Sequence, residues 1–192
     1  MFKLHQTLTI TSKRLFLRLP EARDYVDWAK LRQDSTAFLD PWEPVHESAY
    51  ISRRAFQNRA AAAKRMAKNK RALSLLLFRQ TDEVLVGGLT LDNMQAGVSK
   101  SCTVGYWMGE NYARQGYMKE ALEAAVQYAF TVLDISRIQA GCLPENAPSR
   151  ALLEKSGFKY EGVAQSYLQI AGRWRNHVLY ANLRRDRRGR TE

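Results

Sequence analysis

The chain has 192 residues, of which 45% are hydrophobic and 26% charged. That suffices for one domain whose core needs no disulfide or metal, and the balance excludes a disordered or membrane-embedded chain. No apolar run reaches bilayer length and the opening MFKLHQTLTITSKR lacks an apolar stretch of signal-peptide length, so a cytoplasmic protein with a single domain over 1–192 is expected. The outlier is a formal net charge of +11, which favours nucleic acid, a ribosome or a ligand with several phosphates without choosing among them.

Residues 14–19, RLFLRL, alternate charged and apolar side chains up to Pro20 and predict a first strand. Residues 21–35 place Tyr25, Trp28 and Leu31 at helical spacing, and the proline-bearing FLDPWEPV then predicts a loop. From Glu47 to about Lys70, Phe56, Ala60 and Ala63 share one side with Met66 or Ala67. Arg53, Arg54, Arg59, Lys64, Arg65 and Lys68 surround the rest, which predicts a basic amphipathic helix. ALSLLLFR, the turn TDE and VLVGGLTLDNM form a hairpin, and TVGYWM adds a strand after a polar loop. Helical periodicity returns after Gly116, with Met118, Ala121, Leu122, Ala125 and Val132 on one face.

RIQAGCL is a short strand, and a helix from about Pro148 to Ser156 ends at Gly157. FKYEGVAQSYLQI and RWRNHVLYANL pair around Ala171 and Gly172, and a basic tail covers 184–192. The order of elements predicts an α/β (α+β) chain around a mixed sheet. Cys102 and Cys142 sit in strand-like runs and read as reduced packing residues. His5, His46 and His177 are too scattered for a ligand set, so no metal is expected.

Two segments carry the chemistry. In TVGYWMGENYARQGYMKEAL, residues 103–122, a strand runs through a polar loop into a helix. Gly116 lets the backbone pass close to a ligand, and the helix's first turn leaves N–H groups free for an anion such as pyrophosphate. Arg114 and Lys119 flank it and can neutralise phosphate charge. By itself the pattern fits phosphate binding and an ordinary strand-to-helix turn equally well.

The second segment, PENAPSRALLEKSGFKYEG at 144–162, resembles motif B of the GNAT acetyltransferases, and with the first it identifies the chain as similar to that superfamily. The resemblance implies the acyl-CoA N-acyltransferase fold, a mixed, mostly antiparallel sheet of about seven strands flanked by helices, with acetyl-CoA as cofactor and CoA as product. The family's loop, Gln/Arg-x-x-Gly-x-Gly/Ala, matches ARQGYM at 113–118, departing at Ala113 and Met118. It implies a cofactor site of Arg114, Gln115, Gly116, Tyr117, Met118 and Lys119, with a main-chain N–H near Trp107 or Met108 as oxyanion donor. Asn146 matches the asparagine that holds the pantetheine arm or orients the helix.

Many members place a tyrosine, the general acid, seven residues after that asparagine, but Leu153 stands there. Ser149, three residues after it, instead matches the RimJ/RimL-type ribosomal-protein alanine N-acetyltransferases. A serine hydroxyl is much less acidic than a thiol of pKa about 8.5, so the implied role is to hydrogen-bond the leaving thiolate or relay a proton. The alternative is a helix-start residue satisfying a free N–H.

The resemblance to the RimJ/RimL type covers nearly the whole chain, including FLDPWEPVHES at 38–48 and SYLQIAGRWRNHVLY at 166–180. It implies acetylation of a ribosomal protein's N-terminal alanine, with acceptor contacts at Trp42, Glu43, Asp92, Tyr167, Trp174 and His177. Core packing is the alternative for the tryptophans, and a satisfied structural side chain for His177. In the implied reaction a neutral amine attacks the thioester, with Glu43 as base and Asp92 as second candidate. An α-amine of pKa about 7.8 is easier to deprotonate than a lysine of about 10.4, by about 3.5 kcal/mol. The basic helix and tail are either a weak ribosome-binding surface or a solvated face. Two other functions fit the same fold: acetylation of a small-molecule amine, and a non-catalytic basic ribosome- or RNA-binding module. The intact loop and the 146 and 149 pair argue against the latter.

Overall fold

Leu73, Leu75 and Leu77 alternate with Leu76 and Phe78 along one run, so both faces of that strand are apolar and the sheet must be covered on both sides. A computed structural model describes residues 8–187 and shows this arrangement. Its strands are β1 (Thr9–Thr11), β2 (Leu15–Arg18), β3 (Leu73–Arg79), β4 (Leu85–Gln95), β5 (Ser101–Met108), β6 (Arg137–Cys142), β7 (Lys159–Ile170) and β8 (Arg173–Leu183). The helices are α1 (Tyr25–Asp34), α2 (Thr36–Leu39), α3 (Arg53–Lys68), α4 (Tyr117–Thr131) and α5 (Ala147–Lys155). The sheet order is β1-β2-β3-β4-β5-β6-β8-β7. All neighbours are antiparallel except β5 and β6.

The described sheet has eight strands rather than about seven. The addition is β1, whose Ile10 pairs with Leu17. Three residues are too few for a period-2 signal to stand out in sequence. FLDPWEPV is also more ordered than the expected loop, with α2 leading into a 3-10 turn at Asp40–Trp42. Pro41 fits there because the first turn of a helix needs no N–H from it. The helix expected from about Glu47 splits into a 3-10 turn at Ser48–Ile51 and α3, which Ser52 caps by accepting from the Ala55 N–H at 3.3 Å.

One sheet face packs on α4 through Leu75, Leu77, Leu89 and Leu91 against Ala121, Leu122, Ala125 and Ala129. The run of alanines lets the helix axis approach closely. The other face carries Leu76, Phe78 and Leu85 under Trp28 and Leu31 of α1 and Phe56 of α3. Cys102 and Cys142 are free and buried. Burial pushes the Cys102 thiol up to about 12, which leaves it a packing residue. No helix among the described residues is long and apolar enough to cross a membrane.

The basic tail begins as a 3-10 turn fixed to the body. Arg184 pairs with Asp134 at 2.8 Å, and Arg187 donates to the Ser99 carbonyl and to Ser136 Oγ. His5 and residues 188–192 lie outside the described residues. Leu122 has no exposed surface at the centre of the α4 contact, so Leu122→Ala is expected to cost about 2–5 kcal/mol of stability, measured by urea unfolding.

Candidate active site

Parallel strands need a long crossover, here α4, and β5 and β6 meet only at its far end. They pair at Ser101↔Arg137, Cys102↔Ile138 and Thr103↔Gln139. Beyond Thr103 the two strands follow different partners, β5 with β4 as far as Gly87↔Met108 and β6 with β8 as far as Cys142↔Val178. A gap opens between them, and one main-chain edge of residues 104–108 faces it. Gly109 N–H donates toward β4, to the Val86 carbonyl at 2.9 Å. Because N–H direction alternates along a strand, Trp107 also points its N–H at β4, while Tyr106 and Met108 point theirs at the gap. Of the two expected oxyanion donors, Met108 therefore faces the gap.

On the α4 side, Gly116 adopts a left-handed conformation (φ 82°), and among the described residues no side chain caps the helix behind it. The first-turn N–H groups are left for an anion. Tyr117 and Met118 are buried, so their side chains turn into the core and the loop presents main chain there. Met118 therefore does not narrow the approach. Arg114 is exposed at φ 61°, Gln115 Nε2 donates to the Asn111 carbonyl at 2.8 Å, and Lys119 pairs with Glu123. Arg14 holds this loop from across the chain. Its guanidinium donates to Glu120 at 2.8 Å and to the Gln115 carbonyl at 3.1 Å, and lies 4.4 Å from the centre of the Tyr117 ring. Sequence reasoning missed Arg14, since nothing local links it to a loop about a hundred residues away.

At the other wall of the gap Asn146 Oδ1 accepts the Ser149 N–H at 3.1 Å and so orients α5. Ser149 does not supply that cap. Its Oγ lies 2.8 Å from the Tyr106 hydroxyl. Burial pushes the Tyr106 phenol well above its ordinary pKa, and the hydrogen bond to Ser149 opposes this only in part, so Tyr106 stays protonated. Leu153 is fully buried. Tyr106 is the other hydroxyl that the sequence analysis passed over, although it lay inside the strand already singled out.

Across the sheet, Arg32 of α1 grips Glu43 with both terminal nitrogens, one at 2.8 Å, and His46 Nε2 lies 3.2 Å from the same carboxylate. Burial works against ionisation of Glu43, but the hydrogen bonds and charge of Arg32 outweigh it and hold the carboxyl below the usual range. A carboxylate so held is a weak base. The Glu43 carbonyl also accepts the Ala171 N–H at 3.0 Å, fastening this loop to the β7–β8 turn. Arg32 lies over the Trp107 ring at 4.9 Å. The indole in turn lies against Gly88, where an added Cβ would meet its Nε1 at 2.4 Å. Trp42 is half-buried and Trp174 is 62% exposed, so neither is a core residue. His177 is buried, with Nδ1 3.1 Å from the Arg175 carbonyl, and it supports the half-exposed Tyr167 ring at 5.4 Å. Tyr167 reaches toward Gly141 at the end of β6, its Cε1 3.6 Å from where a Cβ would stand.

Asp92 lies apart from Glu43. It lines a cavity of about 380 Å³ between α3 and the sheet, together with Thr90, Trp107, Tyr50 and Arg59.

A sheet opened between parallel strands, an uncapped helix start on one side and a separate cavity on the other together make a site for passing a group from a phosphate-bearing donor to a second molecule. Residues 14–159 match the family model for the acetyltransferase (GNAT) domain, and the chain belongs to that family. It is an acetyl-CoA-dependent N-acetyltransferase. The chain is 35% identical over 172 residues to the [ribosomal protein uS5]-alanine N-acetyltransferase of Escherichia coli, covering 90% of this chain and 89% of that one. Among solved structures, Mycobacterium smegmatis RimJ in complex with CoA-disulfide is 29% identical with a TM-score of 0.89, covering 95% of this chain and 90% of that chain. The uncapped helix start and the open gap fit the pyrophosphate and pantetheine of that donor.

Removing Glu43 would leave Arg32 buried without its charge partner. Glu43→Gln is therefore expected to cost about 3 kcal/mol of stability at pH 7. Because the native carboxyl is held below its unfolded value, this advantage is present above the ordinary glutamate range and lost as pH falls through it and on through the folded value. Urea unfolding of both proteins from pH 7 to 3 should show the difference shrinking.

Proposed function

We propose that the enzyme acetylates the N-terminal alanine of a ribosomal protein in the cytoplasm, by direct attack of the α-amine on the thioester. The observation that carries this reading is the 35% identity to the uS5-alanine enzyme, which spans 90% of the chain and so cannot be confined to the cofactor half. When bound, acetyl-CoA supplies the activated acyl group. The N–C bond forms as the C–S bond breaks, the thiolate takes the departing pair, and the amine loses a proton.

The chain's own groups meet the needs of that step. Met108 N–H stabilises the developing oxyanion from the β5 edge. Ser149, backed by Tyr106, donates to the leaving thiolate. Since the phenol is even less acidic than usual and a thiol has a pKa of about 8.5, the pair stabilises by hydrogen bonding rather than by giving up a proton. Glu43, committed to Arg32, shapes the acceptor loop and favours an approaching ammonium. Asp92 or water is then the better place for the proton. Trp42, Tyr167 and Trp174 line the approach, and His177 holds Tyr167.

The exposed face of α3, with Arg53, Arg54, Lys64, Arg65 and Lys68, favours a weak, salt-sensitive encounter with ribosomal RNA.

Mass spectrometry after incubation with acetyl-CoA and peptides tests the acceptor. A free N-terminal alanine peptide should gain one acetyl, while a blocked peptide with an internal lysine should not. The reverse pattern would overturn the reading. Ser149→Ala and Tyr106→Phe should each lower kcat by roughly ten- to a hundredfold, with acetyl-CoA affinity little changed. Steady-state kinetics with a thiol-trapping assay would check this.

A further inference from the structure

Arg59 of α3 lines the acceptor-side cavity, yet among the described residues no carboxylate lies within ion-pair distance of it. Its guanidinium is held in place, 4.2 Å from the Tyr50 ring centre and 4.8 Å from that of Trp28, and Nη2 donates to the Tyr50 carbonyl at 2.8 Å. Among the described residues the remaining N–H groups have no hydrogen-bond partner. Burial and the nearby Arg32 charge hold this guanidinium below its ordinary pKa, the sign of a cation short of compensation. The chain orients Arg59 with aromatic faces and a carbonyl, and leaves its charge unmatched on the substrate side.

The row of residues leading from Arg59 to the gap is small. Gly105 pairs with Thr90 and Thr90 with Ser74, so these three share one face and one line across the sheet. Thr90 and Ser74 line the cavity, and among the described residues nothing lies within 4 Å of where a Gly105 Cβ would stand. The line runs from the gap beside β5 to β3, over which α3 packs. Two inter-strand spacings are about 10 Å, and an extended peptide at about 3.4 Å per residue covers that in about three residues. Asp92, two residues along β4 from Thr90, places a charge of opposite sign on the same cavity wall, and among the described residues no cation pairs with it.

We propose that Arg59 is a specificity-determining residue that binds an acidic side chain at positions two to four of the acceptor, while the α-amine lies toward the gap. This rests on the N-terminal-amine reading above and narrows its substrate class to amino-terminal segments with an early Asp or Glu. Arg59 forms no bond to a reacting atom, so its effect falls on acceptor binding rather than on the chemical step.

The test compares alanine-initiated peptides that differ only by Glu or Gln at position three or four, with the full-length enzyme and acetyl-CoA. The wild-type enzyme is expected to favour the Glu peptide by about tenfold in kcat/KM, mostly through KM. Arg59→Gln should bring the ratio close to one while CoA affinity is retained, and Arg59→Lys should restore part of the preference. Should Arg59→Gln fail to fold, the wild-type ratio, its loss at high salt and the Arg59→Lys ratio still decide. A wild-type ratio near one, or an undiminished preference in Arg59→Gln, overturns the inference and leaves the N-terminal-amine reading standing. No transfer to any α-amine peptide, with acetyl-CoA bound, overturns both.

Discussion

The parting of β5 and β6 is the constraint on which the rest of the molecule depends. Two neighbouring strands that pair for three residues and then diverge expose main-chain donors that an intact sheet would satisfy, and a buried unpaired N–H is costly. The sheet tolerates the opening because each strand keeps a full partner on its other side, β4 for β5 and β8 for β6. The unsatisfied edge is thereby confined to one gap. There the alternation of N–H direction gives Tyr106 and Met108 to a ligand and keeps Trp107 in the ladder. The donors are fixed by the sheet, so aligning them at the moment of reaction takes little reorganisation.

Two clamps hold the walls of that gap from opposite faces. Arg14, through Glu120 and the Gln115 carbonyl, ties the glycine loop to the first strands. Arg32, through Glu43, ties α1 to the loop at 39–47, and the Glu43 carbonyl passes the restraint to the β7–β8 turn. Each guanidinium also rests on an aromatic ring, Tyr117 in one case and Trp107 in the other. Planar, delocalised charge suits this double use, engaging a carboxylate in the plane and a ring across it, which lysine could not reproduce. The second clamp explains why Glu43 is conspicuous in sequence without being a strong base: the partner that positions it also lowers its proton affinity.

The long periodic elements were legible in sequence because their burial is one-sided or their ends are chemically marked. α4 follows its alanine stripe and starts at Gly116, and β8 runs over the same residues as the sequence pattern. What was not legible depends on residues far apart in the chain. Tyr106 meets Ser149 only because the gap brings β5 against α5, and Arg14 meets Gln115 only through the pairing of β1 and β2 beside α4. The 38–48 segment shows the same limit from the other side. Its prolines suggested loop, but main-chain bonds from Phe38 and Leu39 to the Ser35 carbonyl start helical turns there, and Arg32, fixed in α1, grips Glu43 at their end. Motif resemblance supplied the cofactor loop and Asn146, whose roles rest on local main chain. It could not say that Ser149 would face a phenol instead of capping its own helix.

In the function proposed above, cofactor and acceptor are handled by different faces of one sheet, and this separates catalysis from selectivity. The α4 face and the α5 start present main chain and hydroxyls, which recognise a donor common to every turnover. The α3 face presents aromatic surface and, at Arg59, a cation with no carboxylate partner among the described residues, which serves nothing in the chemistry of the thioester. Charges left unpaired beside a cavity are a standing cost to the folded chain unless something else compensates them. A substrate that brings the opposite charges gains that energy on binding, and one that lacks them leaves the groups as they were. Selectivity arranged this way acts through acceptor binding and leaves the donors along the gap untouched, so the acceptor face can change while the acetyl-transfer site stays the same.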